Sequence, residues 1–153
     1  AFDASGKLWE TEHGPRGGDE LNLIKPGLNY GWPLITHGKN YNGDLINGGL
    51  TEQAGLVQPN YYWDPVIAPS GLAFYNGKLF PAWKGSVLIG GLRGLMLDRL
   101  TLSKDNKVVD EEPVLAVSDL KVRVRDVRVG PDGAVYLLTD EEKNGKLIKV
   151  TPK

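Results

Sequence analysis

Glycine and proline interrupt this chain so often that no long regular element can form. Twenty Gly and ten Pro are spread along 153 residues, and between them the apolar residues alternate with a period of two. Lys7-Leu8-Trp9-Glu10-Thr11, Ser86-Val87-Leu88-Ile89 and Ala134-Val135-Tyr136-Leu137-Leu138 are β-branched or aromatic runs bounded by turn-forming residues. A strand sends successive side chains to opposite faces, whereas a helix needs apolar positions three or four apart. No stretch supplies the second pattern convincingly. The sequence therefore predicts an all-β fold of short antiparallel strands, with no helix longer than about two turns.

A weak internal repeat refines this. AFDASGKLWETE from Ala1, AFYNGKLFP from Ala73 and VRVGPDGAVYLLTD from Val127 each place a Gly-containing turn between apolar strands. A further strand follows each hairpin, at Glu20–Ile24, Leu95–Leu102 and Lys146–Val150. Units recurring at this spacing suit the blades of a β-propeller. On its own the repeat fits any hairpin-rich protein equally well. The division it suggests is 1–35, 60–117 and 118–153, with 36–59 as a long polar connection.

Composition narrows the function classes. Eighteen Lys and Arg against 19 Asp and Glu give a net charge of −1, which carries no nucleic-acid signal. There is no Cys, which excludes disulfides and thiolate metal sites and fits either a periplasmic or a cytoplasmic home. No apolar run approaches the roughly 18 residues needed to span a membrane. The sequence opens on Ala rather than Met and shows no secretory signal.

Glu12–Pro33, EHGPRGGDELNLIKPGLNYGWP, carries the strongest functional hint. Its Gly and Pro content reads as a structured loop, a short strand from Glu20 to Ile24, and a second tight turn. Such a loop can aim main-chain carbonyls and the carboxylates of Asp19 and Glu20 at one hard cation; a surface turn is the simpler reading. The Asn- and Gly-rich connection after Thr36 is either a binding element or a solvated insertion, and His37 within it reads as a surface residue. Arg123 and Arg125 share one face of an extended segment. They are either an anion-binding pair or solvated side chains matched to Asp119 or Asp126.

The Glu12–Pro33 run resembles the matching segment of the soluble quinoprotein glucose/sorbosone dehydrogenases, also called aldose sugar dehydrogenases. The resemblance continues through WDPVIAPSGLAFY (Trp63–Tyr75), GSVLIGGLRGLMLDRL (Gly85–Leu100) and RVRDVRVGPDGAVYLLTD (Arg123–Asp140). It implies a six-bladed β-propeller that uses pyrroloquinoline quinone (PQQ) and Ca2+ to oxidise aldoses to lactones, in the periplasm or outside the cell. The chain corresponds to the family's C-terminal half, about three blades. The family's catalytic His base and an Arg-Asn pair on the quinone belong to its N-terminal half.

By the same resemblance, Arg123 and Arg125 hold PQQ carboxylates, Arg93 stands near a family lysine that reaches the quinone, and His13 touches the cofactor or the substrate side. The carbonyls of Gly14 and Pro15 bind the catalytic calcium. A second calcium falls to Glu20 and the main chain near Tyr30, with Asp19 as a substitute and Asn40 where relatives carry an acid. No catalytic residue is assigned beyond His13. Three readings follow: an aldose dehydrogenase acting with a missing N-terminal half, a non-catalytic half-propeller that closes as a homodimer around a ligand or partner, and an inactive remnant.

Overall fold

A computed structural model describes residues 1–114 and 121–152. Ten strands form three antiparallel sheets, and the only helical segments among the described residues are short 3-10 turns at Ile46–Gly49 and Pro81–Trp83. In the first sheet β1 (Leu8–Glu12) pairs with β2 (Asp19–Ile24), which pairs with β3 (Tyr61–Trp63). The second sheet runs in sequence order through β4 (Pro69–Phe74), β5 (Val87–Gly91), β6 (Met96–Leu102) and β7 (Val108–Val114). The third comprises β8 (Val124–Val129), β9 (Val135–Thr139) and β10 (Leu147–Val150).

The all-β expectation holds, and each strand run read from alternation is a strand. Two details differ. Tyr61–Trp63, grouped by sequence with the second unit, returns across the long connection to pair with β2. Leu95, read as the start of a strand, has φ of 53° and closes the β5–β6 turn instead.

The sheets stack with the second in the middle. Trp9, Leu21 and Trp63 of the first sheet pack on Val87, Ile89 and Leu100 of the second. On the other face, Leu88, Leu97 and Val114 pack on Val124, Val127, Val135 and Leu137 of the third. Both faces of β5 are therefore buried, which is why Val87-Leu88-Ile89 is an unbroken apolar run. The first strands of the sheets lie side by side, β4 touching both β1 and β8. Contact there is so close that a Cβ on Gly71 would stand 2.2 Å from Asp126 Oδ1 and 2.5 Å from the Val127 amide. The Ser70 hydroxyl sits between the carbonyls of Gly90 and Val124, at 2.9 and 2.6 Å. Inner strands converging in this way bring loops distant in sequence to one end of the stack.

One polar group is buried between the first two sheets. Asp98 on β6 is 0% exposed and accepts a hydrogen bond from Trp63 Nε1 on β3. Burial and the neighbouring Glu111 charge push its carboxyl up to about 7. The folded protein then holds a proton that the unfolded chain releases between about pH 4 and 7. In metal-free buffer this group's contribution is fully present below about pH 4 and is lost as pH rises through about 7, a decline of up to about 4 kcal/mol. Asp98→Asn should remove that slope. Urea unfolding at a series of pH values, wild type against variant, measures it; parallel curves would show that Asp98 ionises normally.

Candidate functional site

The site is built around a buried carboxylate. Asp19, at the start of β2, is 0% exposed; its Oδ1 accepts from the Gly14 amide at 2.8 Å and its Oδ2 from the Ala68 amide at 2.7 Å. This ties the Gly14–Gly18 turn to the segment before β4. That turn is tightly closed: a Cβ on Gly14 would lie 2.1 Å from the Gly17 carbonyl oxygen, so only glycine fits. The Ile67–Pro69 strap then collects further loops. The Ile67 carbonyl accepts from the amides of Arg93 and Gly94, and the Ala68 carbonyl from Leu92. The Pro69 carbonyl lies 2.6 Å from His13 Nε2. A carbonyl can only accept, so Nε2 carries the proton and Nδ1 is left as the basic nitrogen.

Together these segments line a cleft of about 530 Å³ that includes His13, Gly14, Pro15, Asp64 and Arg93. Five residues singled out from sequence, Asp19 among them, thus meet in one place, although Arg93 is far from His13 in the chain. Arg16, Tyr41 and Asp64 also line it, and the sequence reading did not single them out. Asp64 lies inside the quoted WDPVIAPS motif, so that one was within reach.

Arg123 and Arg125 are not in the lining of this cleft. They flank Val124, whose carbonyl meets Ser70, the residue after His13's partner Pro69. Both guanidinium groups converge on one oxygen of Asp140, Arg123 through Nε and Nη2 at 2.9 and 2.7 Å and Arg125 through Nη2 at 2.9 Å. The two arginines hold the Asp140 carboxyl below its ordinary range. The pairing with Asp126 does not form: Asp126 makes an ion pair with Arg128 instead; Asp119 lies outside the described residues.

The remaining candidates lie near the outer face of the first sheet. Glu20 is buried, and burial raises its carboxyl pKa. The Asn22 side-chain amide donates to it at 3.2 Å, while Asn22 Oδ1, also buried, has no partner. Burial and the adjacent Glu10 push Glu12 up to about 7. The Tyr30 hydroxyl donates to the Leu23 carbonyl and accepts from the Lys25 amide. Asn40 closes a turn, its amide on the Asp44 carbonyl. His37 stacks on Tyr62, ring centres 3.9 Å apart, so the long connection lies against the first sheet. Among the described residues no three acidic or His side chains converge as a metal cluster.

Asp19→Ala should leave the Gly14 and Ala68 amides without their acceptor and cost about 2–6 kcal/mol, at roughly 1–3 for each orphaned group. Asp19→Asn, which keeps one oxygen acceptor, should cost less. Denaturant unfolding measures both; a loss below about 1 kcal/mol for Asp19→Ala would mean that water replaces the carboxylate.

The comparisons with known proteins bear on the family and the fold. The chain is 47% identical over 150 residues to the aldose sugar dehydrogenase YliI of Escherichia coli, covering 97% of this chain and 39% of that protein. The crystal structure of the soluble aldose sugar dehydrogenase from Escherichia coli in the apo-form superposes with a TM-score of 0.92 at 44% identity, over 100% of this chain and 44% of that one. The PQQ-bound aldose sugar dehydrogenase from Streptomyces coelicolor matches with a TM-score of 0.68 at 28% identity, over 97% and 40%. The chain thus spans about two fifths of the length of these proteins, and its three sheets are blades of their propeller. No helix among the described residues is long and apolar enough to cross a membrane. The profile of the Glucose / Sorbosone dehydrogenase family matches residues 1–149, and the chain belongs to that family.

Proposed function

We propose that this chain supplies part of the cofactor and substrate site of a PQQ- and calcium-dependent aldose dehydrogenase that works in the periplasm or outside the cell. The observation that carries this is the convergence of His13, the Gly14–Pro15 turn and Arg93 on one cleft. PQQ, held there, would supply the two-electron oxidant that converts an aldose to its lactone. The residues present suit such a ligand. Arg93 offers a fork of donors to a carboxylate, and Arg123 with Arg125 forms a second cationic group. The Gly14 turn is packed so closely that no side chain fits there, which leaves main-chain carbonyls, ligands of the kind a hard cation accepts, as its polar groups. Glu20 and the orphaned Asn22 Oδ1 are two further hard oxygen donors, the reason to place a second calcium there with the Tyr30 main chain. His13 presents Nδ1 as a proton acceptor, a role that rests on its bond to Pro69.

Asp140 sets the starting condition for the arginine pair. It keeps two like charges together and oriented while no anion is present, and an incoming carboxylate must share or displace it.

We expect PQQ to bind these residues weakly and only with calcium, and glucose to be oxidised slowly or not at all by them alone, since no base beyond His13 is assigned among them and the lack of a positioned base costs about 10² to 10⁴ in rate. Absorbance titration of PQQ with and without calcium, wild type against an Arg123→Ala/Arg125→Ala double variant, is the direct test. Equal affinity in the two proteins would reduce the pair to structural residues. Fast oxidation would identify His13 or His37 as a working base.

The exposed outer faces favour a second reading, a non-catalytic half-ring that pairs with another copy. Leu138 and Leu147, cross-strand partners on the third sheet, are 46% and 67% exposed, and Phe2 is 68% exposed at the other end of the stack. Faces of this kind associate, and two-fold symmetry is the commonest solution. Light scattering should then give a dimer; a monomer at high micromolar concentration would remove this reading.

A further inference from the structure

Apart from the cleft of His13 and Arg93, a carboxylate pair lies at the seam between the first two sheets. Asp98 on β6 is fully buried. Glu111 on β7 opens onto a second cleft of about 610 Å³ that Tyr61 and Trp63 also line and that adjoins the first at Asp64 and Pro65. Trp63 Nε1 donates to Asp98 Oδ2 at 3.0 Å and to Glu111 Oε1 at 3.1 Å, so a single N–H serves two acids. The Tyr61 hydroxyl donates to the other Glu111 oxygen. Asp98 Oδ1 is buried and has no partner.

Nothing cationic among the described residues neutralises this pair. Arg99, next along β6, turns to the opposite face and pairs with Glu112 and Asp110. Neutral donors can orient two carboxylates but not cancel their charge; below about pH 7 a proton on Asp98 relieves the pair, and above it a cation has that place to take. An unpaired oxygen on a buried acid adds to that cost.

We propose that Asp98 and Glu111 form a weak site for a hard divalent cation of the calcium type, with Asp98 Oδ1 as its buried ligand. The donors are all oxygens, without imidazole or thiolate, which suits calcium and disfavours softer metals. Glu111 is exposed, so water completes the coordination shell that calcium requires. Trp63 and Tyr61 come from the first sheet and the two acids from the second, so the ion strengthens the seam between them. This site is separate from the positions around Gly14 and Glu20 considered above.

Terbium, which occupies calcium sites and emits when a nearby indole is excited, tests this directly. Trp63 touches both carboxylates, so the wild-type protein should show Trp-sensitised terbium emission that calcium competes away. Asp98→Asn keeps an oxygen for the Trp63 N–H and should lose that emission; Glu111→Gln should lose it as well. Glu20→Gln should keep it. No sensitised emission from the wild type, or emission unchanged in both seam variants, overturns the proposal. Loss only in Glu20→Gln also overturns it and assigns the ion to the other position. If Asp98→Asn fails to fold by circular dichroism, Glu111→Gln, at an exposed position, decides alone.

Discussion

The geometry of the cleft depends on the Asp19 carboxylate. It is a fully buried acid whose two oxygens satisfy amides from two loops well separated in the chain, Gly14 and Ala68. Burying a charge is costly unless hydrogen bonds surround it, and here the bonds also fix position. Gly14 is held within the closed turn that carries Pro15. Ala68, at a positive φ of 50°, is held in a conformation that a β-carbon resists. From Ala68 the order spreads through the Ile67–Pro69 carbonyls to Arg93 and to His13. A loop-built site gains rigidity when its loops share one buried acceptor rather than each being solvated separately.

The stacking of the sheets gives that acceptor its surroundings. The middle sheet is buried on both faces, and Gly71 lets β4 approach β8 more closely than any side chain would permit. The outer face of the third sheet has no such cover, whereas the 36–59 connection lies against the first sheet through the His37–Tyr62 stack. On the first sheet the outward positions of β1 and β2 carry Glu10, Glu12, Glu20 and Asn22, opposite one another in register. A face holding three acids in half-buried surroundings resists packing against apolar surface, which sets it apart from the Leu138–Leu147 end of the stack.

How far sequence could anticipate this follows from the range of each signal. Alternation is local, so β1, β5 and β9 were legible. The membership of β3 was not, because its pairing with β2 crosses the whole 36–59 connection and no local pattern records it. The same holds at the site. The Gly14 turn announced itself through its Gly and Pro content, and Arg93 and His13 through family resemblance. Asp19 was read as a metal ligand in reserve because its carboxylate is visible in sequence while the amide of Ala68 is not. Asp140 was missed as the partner of Arg123 and Arg125 for a related reason. Candidates near in sequence, Asp119 and Asp126, were weighed first, whereas β8 and β9 run antiparallel and bring the end of one strand beside the start of the other.

The arginines separate structural charge from available charge. Arg99, Arg123, Arg125 and Arg128 each pair with a carboxylate, and the residues they join lie on strands or at strand ends. Arg16 and Arg93 have no such partner among the described residues, and both line the cleft. Exposed ion pairs add little to stability, so the four pairings matter mainly as restraints on where the side chains go. The cleft also carries Asp19 and Asp64, so its two arginines offer donors without a net excess of positive charge, and Asp19 is itself already engaged by the Gly14 and Ala68 amides. An acid-bearing ligand would meet Arg93 without first displacing a protein carboxylate, and would meet Arg123 and Arg125 only in competition with Asp140. The side-chain partners thus set the two groups apart: Arg16 and Arg93 are without a carboxylate partner among the described residues, whereas Arg123 and Arg125 already share Asp140.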